Sequence, residues 1–312
     1  MDDLPLGFVG LGDMGSGMAT NLAKACGDRL MVHDLRPQAL RSPVAAGALA
    51  APGFPALVRH AEHIHVCLVY EEQIIELLTG PDGLLEHGRA GQLVVLHSTM
   101  LPTTVLRLAQ ALQARGIDVI DAPVSGGDLQ AATGTAMQSS ASSLTIMVGG
   151  SDAAVARAMP FLRTMGTVFH VGPLGAGEAT KLANSVMNFC NRIAYLEGLQ
   201  IAEAYGVDEG LLNEVVSRST GASYAQKHRE RNDRRWKHHT FSAEELPYRY
   251  SKDLRFAAQL GLDRLLSIPV TALCAQIAPD VYAKRWARMK AKELGRDNDP
   301  ADRAKTDVPA GS

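Results

Sequence analysis

A glycine-rich turn between an apolar strand and a helix constrains this chain more than any other sequence feature. The segment Leu6–Val9 predicts a short strand, and a helical pattern with Met18 and Leu22 on one face comes after the turn. Such a turn lets the backbone approach a pyrophosphate, and the helix start offers it free N–H groups. The segment predicts a dinucleotide site, a ligand-free glycine turn being the alternative. Its GxGxxG residues are Gly10, Leu11, Gly12, Asp13, Met14 and Gly15.

An acidic residue follows the second predicted strand, Leu30–His33. Asp34 lies about twenty residues beyond Gly15, where a carboxylate accepts hydrogen bonds from the adenosine ribose and repels a 2′-phosphate. This position favours NAD as the cofactor. Arg36 follows two residues later, so NADP remains the alternative.

Strand and helix patterns alternate through the first half of the chain, which is typical of an α/β protein with a doubly wound parallel sheet. Ligands of such sheets bind beyond the carboxyl ends of the strands. Candidate segments at those ends are 68–70, 97–99 and 121–127. The predicted strands are Ile64–Val69, Leu93–Leu96, Val119–Asp121 and Leu144–Val148, and the predicted helices are Pro37–Ala46, Glu71–Thr79 and Thr103–Ala114.

The segment 121–127, which reads DAPVSGG, contains a candidate anion site. Ser125 supplies a hydroxyl, and Gly126 and Gly127 predict a sharp turn whose N–H groups bind a carboxylate. An ordinary Gly-Gly turn is the alternative interpretation.

A long helix is predicted from Glu178 to about Ala204, and it carries a polar stripe on an otherwise apolar pattern. Asn184 lies three residues and Ser185 four residues after Lys181, so they share a helix face with it. Burying unpaired polar groups costs several kcal/mol, so the stripe is solvated, paired or functional.

The bulk properties exclude several classes of function. The chain has 312 residues, enough for two domains, and its formal net charge of −2 gives no general attraction to nucleic acid or anionic membranes. Four scattered cysteines without a CxxC pair favour reduced thiols over disulfides or zinc. No secretory signal pattern and no apolar run of about eighteen residues is found. We therefore expect a soluble cytoplasmic protein.

We assign no catalytic or ligand-binding role to three polar segments. His60, His63 and His65 have no carboxylate or cysteine at ligand spacing, so we interpret them as single histidines at a strand edge and predict no metal site. The basic run Gln226–His239 is interpreted as a solvated face, a nucleic-acid patch being the alternative. Met137–Ser143 predicts a polar loop.

The C-terminal region predicts further helices and a tail. Helices are expected at Glu209–Ser217, at Leu254–Leu260 and at Pro269–Met289, the last of them broken near Pro279. Residues 296–312 are polar and aperiodic, which predicts disorder.

Four motifs, taken in order, resemble the β-hydroxyacid dehydrogenase family, which includes 3-hydroxyisobutyrate dehydrogenase and tartronate semialdehyde reductase and is related to 6-phosphogluconate dehydrogenase. The resemblance implies a Rossmann-type domain over 1–172, an all-helical substrate and oligomerisation domain over 173–295 and a homodimer or homotetramer. The motifs are GFVGLGDMGSGMATNL near the N-terminus, DAPVSGG at 121–127, GAGEATKLAN at 175–184 and SKDL at 251–254.

The resemblance also implies roles for individual residues. Lys181 matches the catalytic lysine, which acts as general acid or base. Ser125, Gly126, Gly127, Asn184 and Ser185 match substrate-binding positions. The glycine turn 10–15, Asp34, Leu68, Val69, Thr99 and Lys252 match positions that bind the cofactor.

Two residues depart from the family pattern. Ser185 replaces an asparagine that helps to hold the substrate, and His97 occupies a position that is often acidic or small. The expected function is hydride transfer between NAD and a small 3-hydroxy acid. The alternatives are an NADPH-dependent semialdehyde or glyoxylate reductase and a dinucleotide-binding module without catalysis. Imine reductases share the predicted organisation but lack the lysine.

Overall fold

The computed structural model describes residues 4–127, 131, 144–230, 233 and 245–293; for 245–250 and 292–293 only the helical backbone is described. The chain forms two compact units that divide between Lys181 and Leu182. Three predicted features fall wholly or partly outside the described residues: the loop Met137–Ser143, the basic run beyond residue 230 apart from Asp233, and the tail 296–312.

The first unit alternates strands and helices, as the sequence predicts. Its strands are β1 Leu6–Val9, β2 Leu30–His33, β3 Leu49–Ala50, β4 His63–Val66, β5 Leu93–Leu96, β6 Asp118–Asp121, β7 Val124–Ser125, β8 Leu144–Gly149 and β9 Gly166–Gly172. Its helices are α1 Gly15–Cys26, α2 Arg41–Ala45, α3 Phe54–His60, α4 Glu71–Thr79, α5 Leu84–His87, α6 Pro102–Gln113 and α7 Asp152–Met165, and α8 Ala176–Glu203 begins in this unit.

These strands form one sheet in the order β3-β2-β1-β4-β5-β6-β8-β7, with β9 paired to β8. The strands from β1 to β6 run parallel, and β1 lies between β2 and β4, where the strand order reverses. The pairings of β8 with β6 and β7 are antiparallel. This topology confirms the predicted doubly wound sheet and adds a mixed edge that the sequence pattern did not show.

Alternating strand residues fill two apolar cores, one on each face of the sheet. Phe8 and Val95 pack with α1 and α7 on one face, while Ile64 and Val94 pack with α3, α4 and α6 on the other. Because both faces are covered, the central strands are buried along their whole length. The carboxyl edge of the sheet remains for ligands.

The described part of the second unit is helical. After α8 come α9 Glu209–Ser217, α10 Tyr224–Lys227, α11 Glu245–Asp263 and α12 Pro269–Glu293. Leu254 of α11 shares an apolar cluster with Ala278 and Tyr282 of α12. None of the helices among the described residues is both long and apolar enough to cross a membrane.

Two predictions for these helices were wrong. The prediction that α12 breaks near Pro279 fails, because the helix is continuous through that residue, and the buried Ala278 and Tyr282 supply packing that offsets the lost backbone hydrogen bond. The SKDL segment lies inside α11, which begins at Glu245 and not at Leu254. Pro247 falls in the first turn, where its missing N–H has no intrahelical acceptor in any case.

The prediction of strand-edge histidines was also wrong. His63 and His65 are buried in β4, which is paired on both sides with β1 and β5. His65 Nδ1 lies 2.9 Å from His97 Nε2, and His97 Nδ1 lies 3.0 Å from the Ala122 carbonyl. Both rings stack parallel to Phe8. The position of β4 in the sheet, which local sequence does not reveal, buries these side chains.

Burial keeps these histidines neutral. It lowers the pKa of His97 to about 4, although the hydrogen bond to Ala122 opposes this effect. Burial, followed by the charge of Arg157, lowers the pKa of His63 to about 4. Burial, with smaller effects of His97 and His63, holds the pKa of His65 well below its ordinary value.

We therefore predict that acid destabilises the first unit. When burial lowers the folded-state pKa of a histidine, its full contribution to the free energy of unfolding is present above its unfolded pKa near 6.5. This contribution is lost as the pH falls toward 4. Each such histidine lowers the free energy of unfolding by about 1.4 kcal/mol per pH unit in that window. Urea denaturation between pH 7.5 and 4.5 measures the slope. His63→Leu should make it shallower, and an unchanged slope in that variant would contradict the assignment.

Candidate active site

The glycine turn 10–15 connects β1 to α1 at the carboxyl edge of the sheet. Gly10 has φ +88°, and a Cβ there would overlap the carbonyl of Cys67 after β4. A Cβ on Gly15 would overlap the Gly10 carbonyl. A Cβ on Gly12, in contrast, would meet no described atom within 4 Å. Gly10 and Gly15 therefore allow the tight turn, while Gly12 presents open backbone to a ligand.

The start of α1 suits a phosphate. No described side chain caps this helix start, and its first turn contains no acidic residue. The first N–H groups of a helix have no intrahelical acceptor and lie at the positive end of the helix dipole. The residues present therefore fit the pyrophosphate of a dinucleotide.

Asp34 lies at the end of β2 and contacts the glycine turn directly. Its Oδ2 accepts the Leu11 N–H at 2.8 Å, and its Oδ1 accepts the Arg36 N–H at 2.9 Å. The Arg36 guanidinium forms an ion pair with the same carboxylate at 3.1 Å. Burial raises the pKa of Asp34, but the hydrogen bonds from Arg36 and Leu11 outweigh it and lower the pKa overall.

The segments after β4 and β5 lie beside the same turn. A Cβ on Gly10 would meet the Leu68 side chain at 2.7 Å. The Leu68 N–H donates to Ser98 Oγ at 2.8 Å, which joins the two segments. Val69 is exposed, and Thr99 is partly exposed. The structure thus brings Leu68, Val69 and Thr99 to one edge together with the glycine turn.

The candidate carboxylate site follows β6 and β7. Gly126 has φ +139° and Gly127 φ +92°, conformations that residues with a Cβ rarely adopt. Ser125, Gly126 and Gly127 are all partly exposed. The turn therefore presents small residues and backbone polar groups at the carboxyl edge, as the predicted anion site requires.

Lys181 is partly buried in the second turn of α8, and the helix start is bound to β6. The buried carboxylate of Asp121 accepts the Gly175 N–H at 2.8 Å and the Glu178 N–H at 2.7 Å. Burial raises the pKa of Asp121, and these N–H donors oppose that rise. One side chain thus connects the strand that leads to Ser125 with the helix that carries Lys181.

The comparisons with known proteins agree with this geometry. Residues 5–172 match a family profile described as the NAD binding domain of 6-phosphogluconate dehydrogenase. Residues 175–299 match one described as NAD-binding of NADP-dependent 3-hydroxyisobutyrate dehydrogenase. The chain is 32% identical over 275 residues to 2-(hydroxymethyl)glutarate dehydrogenase of Eubacterium barkeri, with 88% of each chain covered. The chain belongs to the β-hydroxyacid dehydrogenase family.

Two further relatives support the assignment to this family. NAD-dependent L-serine dehydrogenase of Pseudomonas aeruginosa is 39% identical over 221 residues, which cover 70% of this chain and 71% of that one. The structure of Mycobacterium tuberculosis 3-hydroxyisobutyrate dehydrogenase with L-serine matches with a TM-score of 0.74 and 27% identity. That match covers 90% of this chain and 94% of the other. The chain is therefore an NAD(P)-dependent oxidoreductase, which confirms the predicted fold, enzyme class and nicotinamide cofactor.

Ser185, where this member departs from the family asparagine, has a defined partner in the second unit. It is buried, and its hydroxyl donates to Asp253 Oδ2 at 2.8 Å. Asp253 is the neighbour of Lys252 on α11, and the Lys252 ammonium lies 5.4 Å from the centre of the Phe256 ring. Asn184 is partly buried beside Ser185. In this structure Ser185 therefore connects α8 with the helix that carries Lys252.

Three contributions were missed from the sequence. The capping role of Asp121, the bridge from Ser98 to Leu68 and the pairing of His97 with His65 each join segments that are far apart in the chain. A signal existed for Asp121, because it is a charged residue at the end of an otherwise apolar strand. The pairing of His65 with His97 was harder to predict, because no sequence spacing is typical of a histidine pair.

Gly10 and Gly12 have different surroundings, so substitution by alanine should have different effects at these two positions. Gly12→Ala should fold with near-normal thermal stability, because its Cβ meets no described atom, yet weaken NADH binding by about tenfold or more through a clash with the cofactor. Gly10→Ala should lower the melting temperature, since its Cβ overlaps Cys67 and its φ is positive. Thermal denaturation and NADH fluorescence titration measure both. Normal NADH affinity in Gly12→Ala would exclude this turn as the cofactor site.

Proposed function

We propose that this enzyme oxidises a small 3-hydroxy acid with NAD, and that Lys181 is its general base. The observation that carries the proposal is the connection of the start of α8, through Asp121, to the strand that leads into the turn 125–127. A cofactor turn, an anion-binding turn and a partly buried lysine thus belong to one compact unit. The relatives support this class, being named dehydrogenases of hydroxymethylglutarate, serine and 3-hydroxyisobutyrate.

Each residue has a role in this mechanism. Ser125 and the backbone of Gly126 and Gly127 bind the substrate carboxylate. The neutral amine of Lys181 takes the proton of the substrate hydroxyl, while bound NAD supplies the hydride acceptor. The reverse reaction uses the same residues, with the ammonium donating a proton to the carbonyl oxygen, so a semialdehyde reductase has the same site.

The surroundings of Asp34 support a preference for NAD. A carboxylate with a lowered pKa remains charged at neutral pH and repels a 2′-phosphate. Arg36, whose side chain is 48% exposed, favours NADP as the alternative cofactor. Its guanidinium lies beside the Asp34 carboxylate and would attract a 2′-phosphate.

The further assignments are also proposals. Residues 1–172 bind the cofactor, and residues 173–295 shape the substrate site and form a homodimer or homotetramer in the cytoplasm. Large apolar side chains on the helical unit support an interface, and a monomer in light scattering would exclude it. The side chains include Ile201, Leu211, Val215, Leu262, Val270 and Leu273, each more than half exposed. For Lys252 we propose a role in cofactor binding, and for Asn184 a role in substrate binding.

Replacement of the lysine tests the mechanism. We expect Lys181→Met to lower kcat/KM by about 10²- to 10⁴-fold, the usual contribution of a general base, while NADH affinity stays the same. The assay follows NAD reduction with short 3-hydroxy acids, including phosphorylated, sulfonated and aromatic ones. The exposed Lys284 of α12 provides a matched control, and Lys284→Met should keep normal turnover. Near-normal turnover in Lys181→Met contradicts the mechanism, and NADH binding without turnover of any hydroxy acid in the wild type would favour a binding module.

Replacement of Asp34 tests the choice of cofactor. We expect Asp34→Asn to lower the ratio of kcat/KM for NAD over NADP by about tenfold or more, because it removes the charge that repels the 2′-phosphate. Asp28→Asn, at an exposed aspartate between α1 and β2, is the control and should leave the ratio unchanged. An unaltered ratio in Asp34→Asn would show that another group selects the cofactor.

A further inference from the structure

Asp121 has no exposed surface, and both of its carboxylate oxygens are used. Oδ1 accepts the N–H of Gly175, which precedes α8, and Oδ2 accepts the N–H of Glu178 in the first turn. The two residues lie 54 and 57 positions further along the chain. The bond therefore joins distant segments and is not a local helix cap.

The interaction has the features of a charged cap. Its N···O distances of 2.8 and 2.7 Å lie in the range of hydrogen bonds to an ionised acceptor. A negative charge at a helix start also interacts favourably with the helix dipole, and α8 is 28 residues long.

Glycines allow the backbone to pack closely around the Asp121 carboxylate at the helix start. A Cβ on Gly149, the last residue of β8, would overlap Asp121 Oδ1, and one on Gly177 would lie 2.8 Å from Asp121 Oδ2. On another side, a Cβ on Gly175 would lie 3.4 Å from Pro102 of α6. The backbones of β6, β8 and α8 therefore meet around this carboxylate at glycines.

The position of Asp121 in the chain relates this contact to the candidate chemistry. Ser125 follows Asp121 by four residues, and Lys181 follows Glu178 by three. The carboxylate thus lies close in the chain to the anion-binding turn, and it binds the helix turn that precedes the proposed base.

We propose that Asp121 is a positioning residue, whose bonds to the start of α8 hold Lys181 in register with the carboxylate-binding turn 125–127. This inference rests on the proposed function for its catalytic consequence. In this proposal Asp121 itself does not contact the substrate. Displacement of the helix start would misplace the amine, and misplacement of a reacting group by about 1 Å lowers rates by about 10²-fold.

The test compares Asp121→Asn with two controls in the same unit. Asparagine keeps the shape but directs an NH₂ group at one backbone N–H. We expect kcat to fall by about 10- to 100-fold, with the NADH dissociation constant changed less than about twofold. Asp118→Asn, at the exposed end of β6 where Asp118 pairs with Arg157, should leave kcat unchanged. Asp121→Ser, which is smaller and neutral, should repeat the effect if the asparagine variant folds poorly.

A second control separates positioning from stability. Ser151 caps α7 by accepting the Ala154 N–H, so Ser151→Ala removes a helix cap that is remote from Lys181 in the chain. It should lower the melting temperature without lowering kcat. An equal fall of kcat in Ser151→Ala and Asp121→Asn at matched stability would overturn the proposal.

Hydrogen exchange keeps the test independent of the proposed function. Amides in the peptide 174–182 should exchange faster in Asp121→Asn, and amine acylation of Lys181 should change in rate while that of Lys24 does not. If the wild type oxidises no hydroxy acid, the proposed function fails, and these two measurements still decide the positioning role. Unchanged exchange and labelling would overturn it.

Discussion

The bond between the Asp121 carboxylate and the start of α8 is the interaction on which the arrangement of the candidate site depends. A buried helix start must satisfy its first N–H groups, and each one left unpaired costs about 1–3 kcal/mol. Here a side chain at the end of β6 satisfies those of Gly175 and Glu178. Because β6 continues into the turn 125–127, the contact that completes the fold also relates that turn to Lys181.

The same strand end is held from within the sheet. The carbonyl of Ala122, next to Asp121, accepts a hydrogen bond from His97, which pairs with His65 of β4. Neutral rings can be buried in this way because they stack on Phe8 and because three of their four nitrogens are paired, His65 Nδ1 with His97 Nε2 and His97 Nδ1 with the Ala122 carbonyl. At acid pH this arrangement lowers the stability, because burial disfavours the charged form that a second proton on either ring would create. Acid sensitivity and a well-held strand end therefore have one physical cause.

The predicted elements agree best where the pattern is local. Glu71–Thr79, Leu93–Leu96 and Glu209–Ser217 have the predicted bounds, since apolar periodicity and turn residues determine them within a few residues. The histidines of β4 and the helix through Pro279 were predicted wrongly, because burial between neighbouring strands or helices outweighed the local preference. Ser185 was recognised as a departure from the family, but its bond to Asp253 depends on how α11 returns to α8.

The sequence by itself determined the glycine turn, the acidic residue after β2 and the order of strands and helices. These follow from backbone conformation and short-range spacing, as the positive φ of Gly10 and Gly127 illustrates. Only the tertiary structure decided which partners Asp121 and His97 take, at separations of 54 and 32 residues for Gly175 and His65. Such pairings depend on where the chain returns in space, and many polar residues at strand ends are equivalent until the sheet has formed.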